Sequence, residues 1–106
     1  MKRVMVVVNV PENEADSLRQ AIGTAGGGRV GNYSFCSFSI KGTGRFLPNE
    51  GAHPTIGTVG ELESVNEERI EIECDEADVL SVIKAIREAH SYEEPAIAAY
   101  PLLDIT

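Results

Sequence analysis

The sequence predicts one two-layer α+β domain in which two helices pack on one face of an antiparallel sheet. An apolar run of four valines and Met5 at residues 4–8 is typical of a buried strand, and residues 69–74 alternate between apolar and charged side chains. Two amphipathic patterns, at about residues 12–25 and 76–89, predict helices between the strands. The length of 106 residues suits a single domain spanning residues 1–106.

The first half of the chain predicts a strand, a helix and a second strand. Pro11 ends the first strand and can open the helix, because the first helical turn does not use the amide that proline lacks. Three glycines at residues 26–28 then stop the helix. Residues 33–40 predict the second strand, with apolar side chains on both faces. Either the strand is bulged near Phe35 or both of its faces are covered. The apolar face of the first helix consists of Ala15, Leu18, Ile22 and Ala25.

The second half predicts a strand, a helix and a final strand. In residues 69–74 the apolar side chains point one way and the charged ones the other. Asp75 is placed to cap the second helix. Residues 96–103 predict the last strand, and Pro101 favours an edge position for it. The apolar face of the second helix consists of Val79, Ile83, Ile86 and Ala89.

The element order, strand-helix-strand-strand-helix-strand, is that of the ferredoxin-like fold. A three-layer α/β arrangement is the alternative, but four strands and two helices are too few for it. The first, second and last strands are apolar on both faces, although helices cover only one face of such a sheet. We therefore expect another subunit to cover the open face, which predicts a homo-oligomer.

The composition limits which binding partners and which cellular compartment are expected. The net charge of −8 and the scattered basic residues argue against a nucleic acid or an anionic membrane as the partner. The chain shows neither a secretory signal nor a transmembrane stretch, so the expected location is the cytoplasm. Cys36 and Cys74 each lie in an apolar, strand-like run, and we expect both to be reduced and buried.

The long connection at residues 41–67 is the first candidate site, because long connections in compact domains are usually functional or disordered. A short extra strand is plausible at residues 59–65. Residues 42–45 (GTGR) resemble a phosphate-binding loop, but a glycine turn with positive φ is the favoured interpretation. Arg45 and His53 could place positive charge beside glycine amides, which suits a small anionic ligand.

The turn at residues 90–94 is the second candidate. Tyr92 and Glu93 belong to it; it either contacts a ligand or only shapes the chain, and both interpretations stay open. His53 and His90 are also candidate ligands of a divalent metal ion. Glu61 and Arg69 are also in the predicted ligand-binding set. They belong to an acidic stretch that is otherwise expected to be a solvated strand face, on which Arg69 makes cross-strand ion pairs. The full set is Arg45, His53, Glu61, Arg69, His90, Tyr92 and Glu93.

No serine or cysteine lies in a nucleophile motif, so we predict no catalytic residue and no enzyme activity.

A family resemblance is carried by five segments, residues 42–48 (GTGRFLP), 51–57 (GAHPTIG), 60–65 (GELESV), 68–71 (ERIE) and 90–96 (HSYEEPA). In this order they resemble the small inserted domain of the Nif-three-like dimetal-centre proteins. The family's usual His-Pro-Tyr-Glu-Glu-Pro segment has Ser91 in place of the first proline here, which is expected to loosen the turn.

The resemblance implies a fold like that of the PII signalling proteins and the CutA divalent-cation-tolerance proteins, which are ferredoxin-like trimers. In PII proteins the connection between the second and third strands binds effectors and partners. The lobes that hold the family's dimetal centre are not expected in this chain, so its hydrolase activity is not carried over. The leading hypothesis is a stand-alone ligand-binding, regulatory or assembly module. It is expected to form a homo-oligomer, with a trimer favoured, and a second candidate partner is another protein. A CutA-type divalent-metal-binding protein is the alternative, and a small enzyme ranks last.

Overall fold

The computed structural model describes residues 2–105. Its elements are β1 (Arg3–Pro11), α1 (Ala15–Thr24), β2 (Phe38–Phe46), β3 (Glu63–Asp75), α2 (Val79–Ala89) and β4 (Ile97–Leu102). One turn of 3-10 helix, Glu12–Glu14 or Glu76–Asp78, precedes each α-helix. The four strands form an antiparallel sheet in the order β2-β3-β1-β4. The predicted ferredoxin-like α+β fold is confirmed, and β4 is an edge strand as Pro101 indicated.

The hydrophobic core lies between the two helices and one face of the sheet. Alternate residues of the two central strands supply the sheet side, as the predicted two-residue period requires. On α2 the fully buried side chains are Val82 and Ile86, whereas Ala89 is exposed, contrary to the prediction. The core consists of Val4, Val6, Val8, Val10, Ala15, Leu18, Ile22, Ile70, Ile72, Cys74, Val82 and Ile86.

The second strand lies further along the chain than predicted. Residues 33–37 are outside β2, and Phe35 has a φ of 59°, in the left-handed region. Its ring packs so closely over Gly23 of α1 that a Cβ at position 23 would collide with it. The aromatic side chain that suggested a strand therefore packs on a helix, and the chain turns before β2 begins. The aromatic content of this segment predicted packing correctly and backbone conformation wrongly.

The glycine turn predicted at residues 42–45 is also wrong. Gly42 and Gly44 lie inside β2, opposite Glu67 and Val65 of β3, and neither has a positive φ. Pairing with β3 supplies hydrogen bonds that outweigh the low strand preference of glycine. The connection between the strands therefore spans only residues 47–62, and the chain from Glu63 onward belongs to β3 and forms no separate extra strand.

The open face of the sheet carries apolar side chains together with charged ones. Phe38 lies opposite Glu71, Ile40 opposite Arg69, and Tyr100 opposite Met5, and all three of these apolar side chains are more than 40% exposed. Arg69 bonds to Glu71 two residues along its own strand, at 3.2 Å, so the predicted cross-strand ion pair is wrong for this arginine. The expectation of apolar side chains on both faces of the sheet is thus met.

Two polar predictions need correction. Asp75 stands at the helix start but makes no capping bond, because Arg3 Nη1 donates to its carboxylate at 2.7 Å. Cys36 is half-buried in the loop before β2, whereas Cys74 is in the core; both are free thiols. Burial raises the pKa of the Cys74 thiol. None of the helices formed by residues 2–105 combines the length and the apolar character that crossing a membrane requires.

Candidate functional site

A cavity of about 550 Å³ lies where the end of β2 and the following connection face the turn after α2. Residues 43–50, 52 and 54–56 form one wall, and residues 92–94 and 96 form the other. Asn9 of β1 and Glu67 of β3 complete the lining. The sheet therefore provides a rigid base, and the two predicted candidate segments provide the walls.

Glu67 is the buried carboxylate of this cavity. Its residue is only 8% exposed, and its Oε2 accepts a hydrogen bond from the Tyr92 hydroxyl at 3.3 Å. The other oxygen, Oε1, lies over Gly44, where a Cβ would collide with it. Gly44 is thus required by the close approach of a side chain, and the backbone conformation places no such demand.

His90 ends α2 and supports Tyr92 from behind. The ring is 6% exposed; its Nε2–H donates to the Asn9 carbonyl at 2.8 Å, and Nδ1 accepts from the Tyr92 backbone N–H at 3.1 Å. These two bonds select the neutral tautomer with the proton on Nε2. The His90 and Tyr92 rings are in contact with centroids 4.9 Å apart, and Phe46 meets Tyr92 edge-on at 5.9 Å.

Tyr92 keeps its proton over a wide pH range. Burial, followed by the nearby Glu67 carboxylate, raises the pKa of its hydroxyl to about 12. The ionised phenolate would be both desolvated and close to a negative charge. At neutral pH the hydroxyl therefore donates to Glu67 and is a poor base.

Hydrogen bonds hold the two walls together. The His53 backbone N–H donates to Glu93 Oε1 at 2.8 Å, and Thr55 Oγ1 donates to the Ser91 carbonyl at 2.6 Å. Ser91 donates from its N–H and its hydroxyl to the two carboxylate oxygens of Glu14, at 3.2 and 2.7 Å. Both bonds use donors that a proline lacks, so Ser91 attaches the turn to Glu14 in a way that the family's usual proline cannot. The expected loosening of the turn stays a prediction.

The structure gathers some of the predicted site residues and separates others. Arg45, Tyr92 and Glu93 line the cavity. His53 joins it through its backbone while its side chain is exposed, and His90 lies behind Tyr92. Glu61 and Arg69 are exposed and do not line the cavity.

Of the lining residues, Gly44, Phe46 and Glu67 lie within the predicted connection at residues 41–67 but are not among the individually predicted ligand-binding residues, and Asn9 lies outside both candidate segments. Glu67 belongs to an alternating acidic strand, where nothing distinguishes it from Glu71 or Glu73. What distinguishes Glu67 is the strand register, which brings it beside the glycines of β2. That register is seen only in the folded chain.

The charges that line the cavity are mainly negative. Arg45 is the one cationic side chain among the lining residues, against the carboxylates of Glu50, Glu67, Glu93 and Glu94. Both ring nitrogens of His90 are engaged, so in this arrangement the ring offers no lone pair to a metal. Across residues 2–105, no group of three or more histidine, cysteine, aspartate or glutamate side chains is arranged to hold a metal ion.

No protein-family model matches the chain. The GTP cyclohydrolase 1 type 2 homologue of Halalkalibacterium halodurans is 48% identical over 97 residues, which cover 92% of this chain and 26% of the relative. The crystal structure of a NIF3-related protein from Bacillus cereus matches with a TM-score of 0.84 and 46% identity, over 97% of this chain and 26% of that one. The chain thus spans about a quarter of the length of the relatives it matches.

Smaller proteins match over most of their own length. The periplasmic divalent cation tolerance protein CutA of Archaeoglobus fulgidus has a TM-score of 0.67 at 16% identity, covering 94% of this chain and 83% of its own. The Bacillus subtilis GlnK–ATP complex has a TM-score of 0.65 at 14% identity, covering 95% and 82%. These likenesses show the fold alone. The chain is therefore a homologue of one segment of the NIF3-related GTP cyclohydrolase 1 type 2 homologues, and that segment has the fold of CutA and GlnK.

Proposed function

We propose that this chain is a ligand-binding module without catalytic activity, and that its site is the cavity between residues 43–56 and 92–96. The observation that carries the proposal is the cavity itself, which has a buried carboxylate at its base. Its volume of about 550 Å³ lies within the range of small-molecule sites, roughly 300–1,000 Å³. Such sites commonly combine an apolar and aromatic lining with a few fixed polar groups, here Glu67 and Tyr92.

A binding role is favoured over catalysis by the state of the two groups best placed for proton transfer. A general base works best with a pKa near the operating pH, whereas the pKa of Tyr92 is raised to about 12. The neutral His90 ring already uses both nitrogens in bonds to the backbone. The cyclohydrolase activity in the name of the relatives describes proteins about four times as long, and we propose that this segment contributes binding and assembly there.

We further propose that the chain assembles as a homo-oligomer, with a trimer favoured, through the open face of its sheet. The exposed Phe38, Ile40 and Tyr100 side chains on that face support an interface, since burying them stabilises association. The trimeric state is suggested by the family resemblance. We also propose the cytoplasm as the compartment, where the free thiols of Cys36 and Cys74 would stay reduced.

The binding site can be tested without knowing the ligand by filling the cavity. Ala96 lines the cavity and is exposed, so Ala96→Trp should obstruct the site while keeping the fold. Ala89→Trp, at the exposed end of α2 and outside the lining, is the matched control. A metabolite library is screened by thermal shift against the wild type and both variants. A ligand at a hundred times its Kd stabilises by about 2.7 kcal/mol.

The proposal expects at least one compound that stabilises the wild type and Ala89→Trp but not Ala96→Trp. A library in which every stabilising compound acts equally on all three proteins would overturn the proposed site.

A further inference from the structure

We infer that the cavity takes a small organic cation, with a primary ammonium or guanidinium group placed at the Glu67 carboxylate. The inference rests on the proposed function and names the ligand class of that same cavity. It also differs from the anionic ligand that the glycines, Arg45 and His53 indicated in the sequence.

The first support is the incomplete hydrogen bonding of Glu67. A carboxylate offers about four acceptor positions, yet the only donor that reaches Glu67 among the described residues is the Tyr92 hydroxyl, at a long 3.3 Å. Oε1 has no donor there and lies over Gly44, on the lining of the cavity. Among the described residues no fully buried side-chain oxygen lacks a partner, so Oε1 is accessible from the cavity. There this largely buried carboxylate favours a cationic group that brings several N–H donors.

The second support is the electrostatic surroundings of that carboxylate. Glu50, Glu93 and Glu94 line the same cavity, and Arg45 is the single cation on the lining. An anionic ligand would meet this excess of like charge in a partly desolvated site, whereas a cation is attracted to it. The rings of Phe46 and Tyr92, in edge-to-face contact, add aromatic surface of the kind that binds ammonium and guanidinium groups.

The test compares two probes of the same length and opposite charge. Isothermal titration at about 0.15 M salt, which screens attraction to the outer surface, measures binding of 1,5-diaminopentane and of glutarate. Agmatine extends the cationic arm, because it carries both an ammonium and a guanidinium group. ATP, the ligand in the GlnK complex, extends the anionic arm. We expect the two cations to bind and the two anions not to bind.

Two variants test whether Glu67 is responsible. Glu67→Gln keeps the shape and an acceptor for Tyr92 but removes the charge, and we expect cation affinity to fall roughly ten- to a hundredfold. Gly44→Ala introduces a Cβ that collides with Oε1 and forces the carboxylate aside, so it should have the same effect. Gly42→Ala is the matched control; it lies in the same strand, meets nothing within 4 Å, and should bind cations like the wild type.

The outcomes separate this inference from the proposed function. If the anions bind, or only neutral library compounds do, and Ala96→Trp blocks them, the cation inference falls while the binding site stands. If the cations bind Glu67→Gln as tightly as the wild type, they bind elsewhere and the inference also falls. If no compound of either charge or of the library distinguishes the wild type from Ala96→Trp, both proposals fall together.

Discussion

At the scale of single residues, the site depends on a chain of contacts that begins at the end of α2. His90 donates to the Asn9 carbonyl and accepts from the Tyr92 amide, so the ring fixes where the turn leaves the helix. The Tyr92 hydroxyl in turn donates to Glu67, whose other oxygen takes the space left open by Gly44. Each of these residues acts through its immediate neighbour. A substitution at any one of them should therefore change the position of the Glu67 carboxylate.

The raised pKa of Tyr92 predicts a loss of stability at alkaline pH. Its pKa is raised in the folded protein to about 12, from a usual value of 10. Between those two values the unfolded chain releases the tyrosine proton while the folded chain retains it. This contribution to the free energy of unfolding is thus fully present below about pH 10 and is lost as the pH rises toward 12. Urea unfolding of the wild type and of Tyr92→Phe across this range measures it.

In Tyr92→Phe this part of the alkaline decline should disappear. Tyr33→Phe, which replaces an exposed ring, is the control for the decline that arises from all other groups. Identical slopes for wild type and Tyr92→Phe between pH 10 and 12 would contradict the half-buried environment of Tyr92 and its contact with Glu67.

At the scale of elements, each helix contributes one apolar face, and each begins after a 3-10 turn that follows a central strand. The succession of strand, 3-10 turn and helix occurs twice. In the first half Pro11 leads into Glu12–Glu14, and in the second half Asp75 leads into Glu76–Asp78. In α2 the buried positions are Val82 and Ile86, and the opposite side of the helix is exposed. Substitutions on the buried side of α2 should therefore lower the free energy of unfolding more than substitutions on its exposed side.

Two side-chain truncations on α2 test this difference between its buried and exposed sides. Ile86 is completely buried in the core, so Ile86→Ala should lower the free energy of unfolding by about 2–5 kcal/mol, through lost burial and the cavity left behind. Leu80 on the same helix is 82% exposed, and Leu80→Ala should change it by no more than about 0.5 kcal/mol. Chemical denaturation of both variants gives the values. Comparable losses at the two positions would contradict the described orientation of α2.

At the scale of the whole molecule, the two faces of the sheet have different surroundings. The helices bury one face, whereas the other presents Phe38, Ile40 and Tyr100 to the surface among charged residues of β3. Such a face is suited to contact another subunit. The cavity lies at one end of the sheet, where its walls are held by bonds within this chain. Phe38, Ile40 and Tyr100 do not line the cavity, so substitutions at these positions should change assembly without changing the cavity lining.

The expected mass in solution is about three times 11.4 kDa, measured by analytical ultracentrifugation at micromolar concentration. Phe38→Asp places a charge on the open face and should yield a monomer, because an unpaired charge is costly to bury. Leu80→Asp, which changes an equally apolar residue on the helix side, should leave the mass unchanged. A wild-type protein that sediments as a monomer would refute the proposed assembly.

Much of the fold could be predicted from periodicity. The valines of β1, the alternation in β3 and the helical spacing of Ala15, Leu18 and Ile22 record which side of each element faces the core. These patterns are local, because burial of one face imposes a fixed repeat on the residues of that element. The acidic composition and the two candidate segments around the cavity were also readable from the sequence.

What depended on contacts between distant segments could be decided only by the tertiary structure. Pairing with β3 turned the glycines of residues 42–44 into a strand, and packing on Gly23 put Phe35 outside it. The same register buried Glu67 beside Gly44 while leaving Arg69 exposed, although both lie in one alternating acidic strand. By itself the sequence determined which residues share a face, because that follows from local repeat. Which of those residues meet across the sheet follows from strand register, and register is a property of the folded chain alone.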